Sequence, residues 1–586
     1  MFGLALGKGP KSRKRVILKK NLEWQDYLAG QDDIRVDFFI TTKFGVRPVR
    51  SVLHYDDSML NTVFKQHHAN ALFAELSTIF SLIALGLLIE FELFRIPSGA
   101  SVLIFFSMLT ALSGAFSFWM GQWRNLWLII LILVLNAASQ YDFWGYQNRA
   151  YGLNYNGECV DYSFATLQKI GTKENMAADA QNTISILENW KTKTGEPRPK
   201  MVIVTVSGGG LSAAMYSMRV LQQADSLSGG KLLNHTAMMT GASGGTFATA
   251  YLRELYREKQ KGQLSQYYDE SYAYDVGADL LNPICFTIMV NDLFYPWQTF
   301  EENGNTFRKD RGYIMEEILS ENTGNRLNKP LADFREAEAT AEVPMMILTP
   351  TIVNDQRKLI IGSHSHSYLM KPYSRNSSMS GYDVDGVDFL RLFEKQDADQ
   401  LRLSSALRMN ATYPYILPNA ALPTNPEIEV MDAGLRDNYG METTLRFINV
   451  FQDWILENTS GVLVLQVGGY HTREIDPKNK ESFLGKMVNP VSTLYSNWNH
   501  IQRYYQTFSL HQTDECLAGH IDWVRFVYEP SKDHEKASLS FHLTTREKQD
   551  ICRELDTPKN IEAMNRVLGH FQGEGWAGAV YGVPNK

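Results

Sequence analysis

The segment from Met201 to Gly210 constrains the fold more than any other. MVIVTV, an apolar strand pattern, runs directly into Ser207-Gly208-Gly209-Gly210 and then into a helical pattern, Leu211 to Leu227. Further apolar runs, at His235 to Thr240, Val343 to Leu348, Ile428 to Met431 and Gly461 to Val467, alternate with helical patterns such as Thr246 to Glu258. That alternation predicts an α/β sheet covered by helices. No tandem repeat or low-complexity tract points to a solenoid instead.

With 586 residues the chain exceeds what one hydrophobic core fills, so at least two structural units are expected. Apolar residues crowd between Ala71 and Trp144, and three runs there, 71–93, 100–119 and 123–140, predict an all-α transmembrane region of three helices. Glu75, Glu90 and Glu92 fall near the ends of the first run, and Tyr141, Phe143 and Trp144 follow the third like an interfacial belt. The opening MFGLALGKGPKSRKRVILKK is basic but has no apolar core or cleavage site, which reads as a tail on an anionic cytoplasmic leaflet. Three spans after a cation-rich amino terminus predict a multi-pass protein of the plasma or inner membrane, its amino terminus cytoplasmic and its remaining domain outside. The expected plan is a tail over 1–70, the membrane region over 71–145, a linker and helix over 146–199, and a catalytic domain with a carboxy-terminal extension over 200–586.

A net charge of -7 and a pI near 6.0 offer no broad attraction for phosphate backbones, which argues against nucleic acid as a partner. Cys159, Cys285, Cys516 and Cys552 are too scattered for a metal or redox motif and are either thiols or one or two disulfides. His364-Ser-His366 has no carboxylate partner nearby in sequence, so no metal is assigned, and no cofactor motif is accepted.

The sharpest local signal is HTAMMTGASGGTFATAYLREL, where Gly241, Ser243 and Gly245 form G-x-S-x-G between an apolar run and a helical pattern. A strand that turns abruptly into a helix strains its serine, so the neighbours must be small, as Ala242, Gly244 and Gly245 are. The helix start also directs unsatisfied N–H groups at the site. Upstream, Gly208, Gly209 and Gly210 supply peptide N–H groups that can cradle an oxyanion. Gly208, Gly210 and Ala213 also fit a dinucleotide fingerprint, but the acidic residue that should close a second strand is missing: Asp225 falls inside the helical pattern. Asp432, in PEIEVMDAGLRDNYG, ends a strand and can be aimed at a serine, though by itself it reads as a turn former. The aromatic and aliphatic stretch Tyr272 to Phe300 suits a lid or acyl-chain wall.

Together, SGGG followed by a helix, then GASGG, then a distant DAG at a strand end resemble the patatin-like phospholipases and their cytosolic phospholipase relatives. The likeness runs from Met201 to DAGLRDN and includes LSSALRMNATYPYILP. It implies a three-layer α/β/α domain that hydrolyses lipid acyl esters with a Ser243–Asp432 dyad and the amides of Gly208, Gly209 and Gly210 as oxyanion donors, on a membrane lipid substrate and without a cofactor. Asp437 is the fallback base. A Ser-His-Asp triad stays open, because His471, His500, His511, His520, His534, His542 and His570 all follow Asp432. One departure stands out: the family often has a basic residue two positions past the last glycine, and here Leu211 and Ser212 follow Gly210, with Arg219 two helical turns on. That weakens a phospholipid substrate and leaves a neutral or unusual lipid ester open. An acyltransferase, or a scaffold that binds without catalysis, are the other readings.

Overall fold

The computed structural model describes residues 38–41, 45–48, 56–88, 96–120, 123–138, 148–293, 297–372, 384–413, 416–468, 483–529 and 540–571. The chain divides into two compact units, residues 1–84 with 103–146, and residues 85–102 with 147–586.

The second unit is built on a parallel sheet in the order Ile521–Val527, Val462–Gly468, Met201–Val206, Thr236–Gly241, Met345–Leu348. Every residue of the middle three strands is buried, as parallel strands covered by helices on both faces require. Helix Gly210–Leu227 follows the central strand and helix Ser243–Gln260 follows its neighbour. In the pairing register Val206 lies beside Gly241, so the two strands end level. Both turns therefore open at the carboxyl edge of the sheet, where α/β folds place their sites.

Ile428–Met431, expected in that sheet, belongs to a second one, ordered Gly386–Asp388, Lys358–Ile360, Thr351–Ile352, Ile428–Met431, Ala420–Leu422. Its neighbours there are both antiparallel. The reason is visible in its side chains: Ile428 and Val430 are buried while Glu429 is exposed, the alternation of a half-covered strand. Leu348 and Ile361 exchange backbone hydrogen bonds of 2.9 Å, joining the parallel edge strand to the second sheet.

Helix Leu403–Asn410 is buried along its whole length around an ion pair that has no exposure on either side. Arg408 Nε donates to Glu316 Oε1 at 2.6 Å, and the Ser404 and Ser405 hydroxyls donate to the same carboxylate at 2.9 and 2.8 Å. Arg408 Nη2 donates to the Arg149 carbonyl at 2.6 Å. All four cysteines are free thiols, those of Cys159 and Cys516 exposed.

The membrane expectation finds no support among the described residues. Helices do stand where spans were expected, at Asp57–Leu87, Ser98–Met120 and Arg124–Ala138. Among the described residues, however, no helix is long and apolar enough to cross a membrane. The first begins well before Ala71, in the polar sequence DSMLNTVFKQHHAN. The third is described over Arg124–Ala138. The middle one interleaves serines and glycines with its apolar residues. Tyr141, Phe143, Trp144 and the basic opening segment lie outside the described residues. Large apolar side chains on these helices stay exposed, among them Phe80 and Leu103, each at 73%.

Breaking a buried pair leaves an uncompensated charge, so Arg408→Ala is expected to lower unfolding free energy by about 3–5 kcal/mol. Denaturant titration reads this directly, and a loss below about 1 kcal/mol would show that Glu316 is hydrated in solution.

Candidate active site

Ser243 opens its helix with φ +49°, a left-handed backbone for a residue with a side chain. Only Ala242 separates it from strand Thr236–Gly241, and the Ala242 amide is tied to the Val206 carbonyl at 3.1 Å. Such geometry costs on the order of 1–3 kcal/mol and persists where the surroundings enforce it. The enforcing contact is backbone against backbone. A Cβ placed on Gly244 would lie 1.8 Å from the Gly210 carbonyl oxygen, and one on Gly245 would lie 2.5 Å from that of Ser207. Gly241 meets the Val206 carbonyl in the same way, at 2.2 Å. The serine turn and the glycine loop are therefore one packed object.

Gly208 faces the serine, since a Cβ there would stand 3.3 Å from Ser243 Cβ. Its amide is engaged, donating to the Asn438 carbonyl at 3.2 Å and to Asn438 Oδ1 at 3.1 Å. Among the described residues nothing accepts from the amides of Gly209 or Gly210, which open the helix Gly210–Leu227 at its positive end. The next amide, Leu211, is tied to the Ser540 carbonyl at 3.0 Å.

Asp432 follows strand Ile428–Met431, and its buried carboxyl accepts from the Gly434 amide at 2.7 Å and is near enough to the Ser243 hydroxyl for that group to favour its charged form. Burial pushes this carboxyl up to about 7, against the two groups that favour its charged form. Burial thus favours its protonated form far more than in an exposed aspartate.

The alternatives are committed elsewhere. Asp437 accepts from the amides of Glu442 and Thr443 at 3.1 and 2.9 Å, from the Thr443 hydroxyl at 3.0 Å and from Gln506 at 3.2 Å, which makes it the cap of helix Met441–Val450. His542 pairs with Asp279 at 2.8 Å, His520 with the Leu517 carbonyl at 2.7 Å and His500 with Arg503 at 3.1 Å. Neither these nor His511 and His570 have Ser243 or Asp432 as a described partner, and His471 and His534 lie outside the described residues. His364 turns to Asn182 and the Arg335 carbonyl, while the buried His366 turns to Tyr368, and no group of metal-ligating side chains forms among the described residues. Arg219 pairs with Glu270 at 3.0 Å. Asp225 is buried under the hydroxyls of Tyr267 and Tyr268, out of place for a ribose.

Two asparagines that the motifs did not single out organise the site. Asn410 Nδ2 donates to the Gly241 carbonyl at 3.0 Å, its Oδ1 accepts from Thr349 at 3.2 Å, and its carbonyl accepts from Ala433 at 3.3 Å. It thereby joins the serine turn to the loop after Asp432. Asn438 joins that loop to Gly208, as above. Both lie within stretches that carry the resemblance, LSSALRMNATYPYILP and DAGLRDN, where a polar residue at a buried helix end was the available signal. A cavity of about 1440 Å³ lies behind the Asp432 loop, lined by Met431, Leu435, Leu445, Trp498 and Tyr505 among others, and neither Ser243 nor the glycine loop lines it. The stretch expected as a lid or acyl wall forms helices Ser271–Val276 and Leu281–Thr287 and a π-turn at Ile288–Asp292, with Ile284, Phe286 and Val290 buried.

No family model matches the chain, and no curated protein matches it by sequence. Among solved structures it is similar to human GIVD cytosolic phospholipase A2 in complex with methyl gamma-linolenyl fluorophosphonate, at 11% identity and TM-score 0.29, over 68% of this chain and 65% of that one. The same human enzyme without the inhibitor gives 11% identity and TM-score 0.30, over 68% and 67%. VipD from Legionella pneumophila gives 10% identity and TM-score 0.26, over 64% and 67%. The chain thus spans about two thirds of the length of each. Likeness at this level assigns neither fold nor activity.

Because the folded carboxyl of Asp432 titrates near 7 rather than 3.8, the folded chain binds its proton more tightly than the unfolded chain does. Its stability contribution is present at low pH and is lost as pH rises from about 4 through 7. Asp432→Asn is therefore expected to match wild type at pH 4 and to exceed it at pH 8, by up to a few kcal/mol. A Tm difference that stays flat across that range would show that the carboxyl is solvated.

Proposed function

We propose that this chain is a serine hydrolase of lipid acyl esters, with Ser243 as nucleophile, Asp432 as base and the amides of Gly209 and Gly210 as oxyanion donors. The observation that carries the reading is that Ser243, held in a left-handed turn, is near enough to the buried Asp432 to favour its charged form, while burial pushes that carboxyl up to about 7. Ser243 Oγ attacks the ester carbonyl while Asp432 takes its proton. The carbonyl oxygen becomes an oxyanion facing the two glycine amides, where each donor contributes roughly 100- to 1,000-fold in rate. Collapse expels the alcohol, which recovers the proton from Asp432 and leaves an acyl-serine. Water then attacks with Asp432 again as base, and the fatty acid leaves with Ser243 restored. An ester suits such a two-residue device, because an alkoxide leaves far more readily than the amide anion that an unprotonated amide nitrogen would become.

The lipid class is supported by the motif set SGGG, GASGG and DAG, and the missing basic residue after Gly210 favours neutral lipid esters over phospholipids. The substrate is presented at a lipid surface. The engaged amide of Gly208 favours a second reading, a lipid-binding protein that has kept the fold without turnover.

Fatty-acid release from a panel of neutral glycerides and phospholipids in detergent micelles tests the proposal. Wild type is expected to release fatty acid with an acid limb near pH 7. Ser243→Ala abolishes this, and Asp432→Asn lowers it by about 100- to 10,000-fold. Absence of release, together with absence of fluorophosphonate labelling in folded wild type, would leave the binding protein as the answer.

A further inference from the structure

The loop that carries Asp432 is held only in part by its own turn, through the Arg436 and Asp437 amides on the Ala433 carbonyl at 3.0 and 2.9 Å. Helix Gly434–Asp437 is a single turn, too short to satisfy its own terminal carbonyls and amides. Gln502, 9% exposed on the long helix Phe483–Cys516, meets two of its carbonyls and the amide that follows it. Its Nε2 donates to the Leu435 carbonyl at 2.7 Å and to the Gly434 carbonyl at 3.2 Å, and its Oε1 accepts from the Asn438 amide at 3.3 Å. Trp498 Nε1, one helical turn earlier, also donates to the Leu435 carbonyl, at 2.6 Å. From that loop the contacts divide: the Gly434 amide reaches Asp432 Oδ1, and Asn438 reaches the Gly208 amide.

We infer that Gln502 and Asn438 form a clamp that sets Asp432 and the glycine loop on opposite sides of Ser243, Gln502 as a positioning residue that touches neither reacting atom. The chemistry demands a primary amide. Only Asn or Gln offers two donors and an acceptor in one plane, whereas glutamate has no donors when ionised and leucine has neither. The clamp also explains why the Gly208 amide is engaged: it is the hinge of the loop, and Gly209 and Gly210 are left to face substrate. The catalytic consequence rests on the proposed hydrolase reading; the structural link does not.

The test compares wild type, Gln502→Leu, Gln502→Glu, Asn438→Ala and the Gln502→Leu/Asn438→Ala double variant. Hydrogen exchange is followed in the peptide spanning 205–211, and fluorophosphonate labelling and fatty-acid release are followed against pH. Exchange at the glycine loop is expected to accelerate in all three single variants, whether or not the chain is an enzyme. Labelling and kcat should fall about 10- to 100-fold, the cost of a displacement near 1 Å, with KM unchanged. The acid limb should move down toward the ordinary carboxylate range as water reaches Asp432. The double variant should be no slower than the slower single one, because each breaks the same clamp. Gln502→Glu, which keeps the shape but loses both donors, should behave like Gln502→Leu and replaces it if the leucine variant does not fold. Unchanged exchange at the glycine loop, losses that multiply in the double variant, or full rate in Gln502→Glu would each overturn the clamp. Wild type that neither labels nor releases fatty acid would defeat the hydrolase reading, and the exchange measurements would still decide the clamp.

Discussion

The structure around the site depends on one contact, the backbone of Gly244 pressed against the backbone of Gly210, with no room for even a methyl group between them. Interiors are packed too densely for this to relax by small shifts. Two helices start at the same edge of the parallel sheet, and the contact requires that both do so side by side. The left-handed conformation of Ser243 follows from it, because the chain must leave strand Thr236–Gly241 and enter its helix within one residue while passing the glycine loop. The open amides of Gly209 and Gly210 are a further consequence, since a helix whose first turn abuts another backbone keeps its initial N–H groups aimed at the same small volume.

Electrostatics at the site run against stability. A carboxyl buried without a cation is stabilised in its neutral form, and only two groups, the Gly434 amide and the Ser243 hydroxyl, favour its charge. The contrast with Glu316 is instructive, because that carboxylate is equally buried yet meets a guanidinium and two hydroxyls. One buried acid is fully compensated and serves the fold; the other is left short of partners and is therefore able to take and return a proton.

How much of this was legible in the sequence follows from the range of each interaction. MVIVTV and the run before Ser243 were readable as strands because every residue in them is buried, and G-x-S-x-G was readable because the crowding it answers is local in the chain. The second sheet was not separated from the first, although the alternation of Ile428, Glu429 and Val430 carried that information. Asn410, Asn438 and Gln502 act across tens to hundreds of positions, through single hydrogen bonds that leave no periodic trace. The apolar runs between Ala71 and Ala138 do form helices, but among the described residues none is long and apolar enough to cross a membrane, and the first extends back into polar sequence.

Ser243 and Asp432 stand on different sheets, one just past the end of Thr236–Gly241 and the other just past the end of Ile428–Met431, and those sheets are stitched through Leu348 and Ile361. The Ser243–Asp432 pair is thus a gauge across a seam. Each sheet can keep its ladder, its helices and most of its buried surface while sliding slightly against the other, and the pair alone registers the slip. A change of packing at that seam would part Ser243 from Asp432 while both ladders still stood.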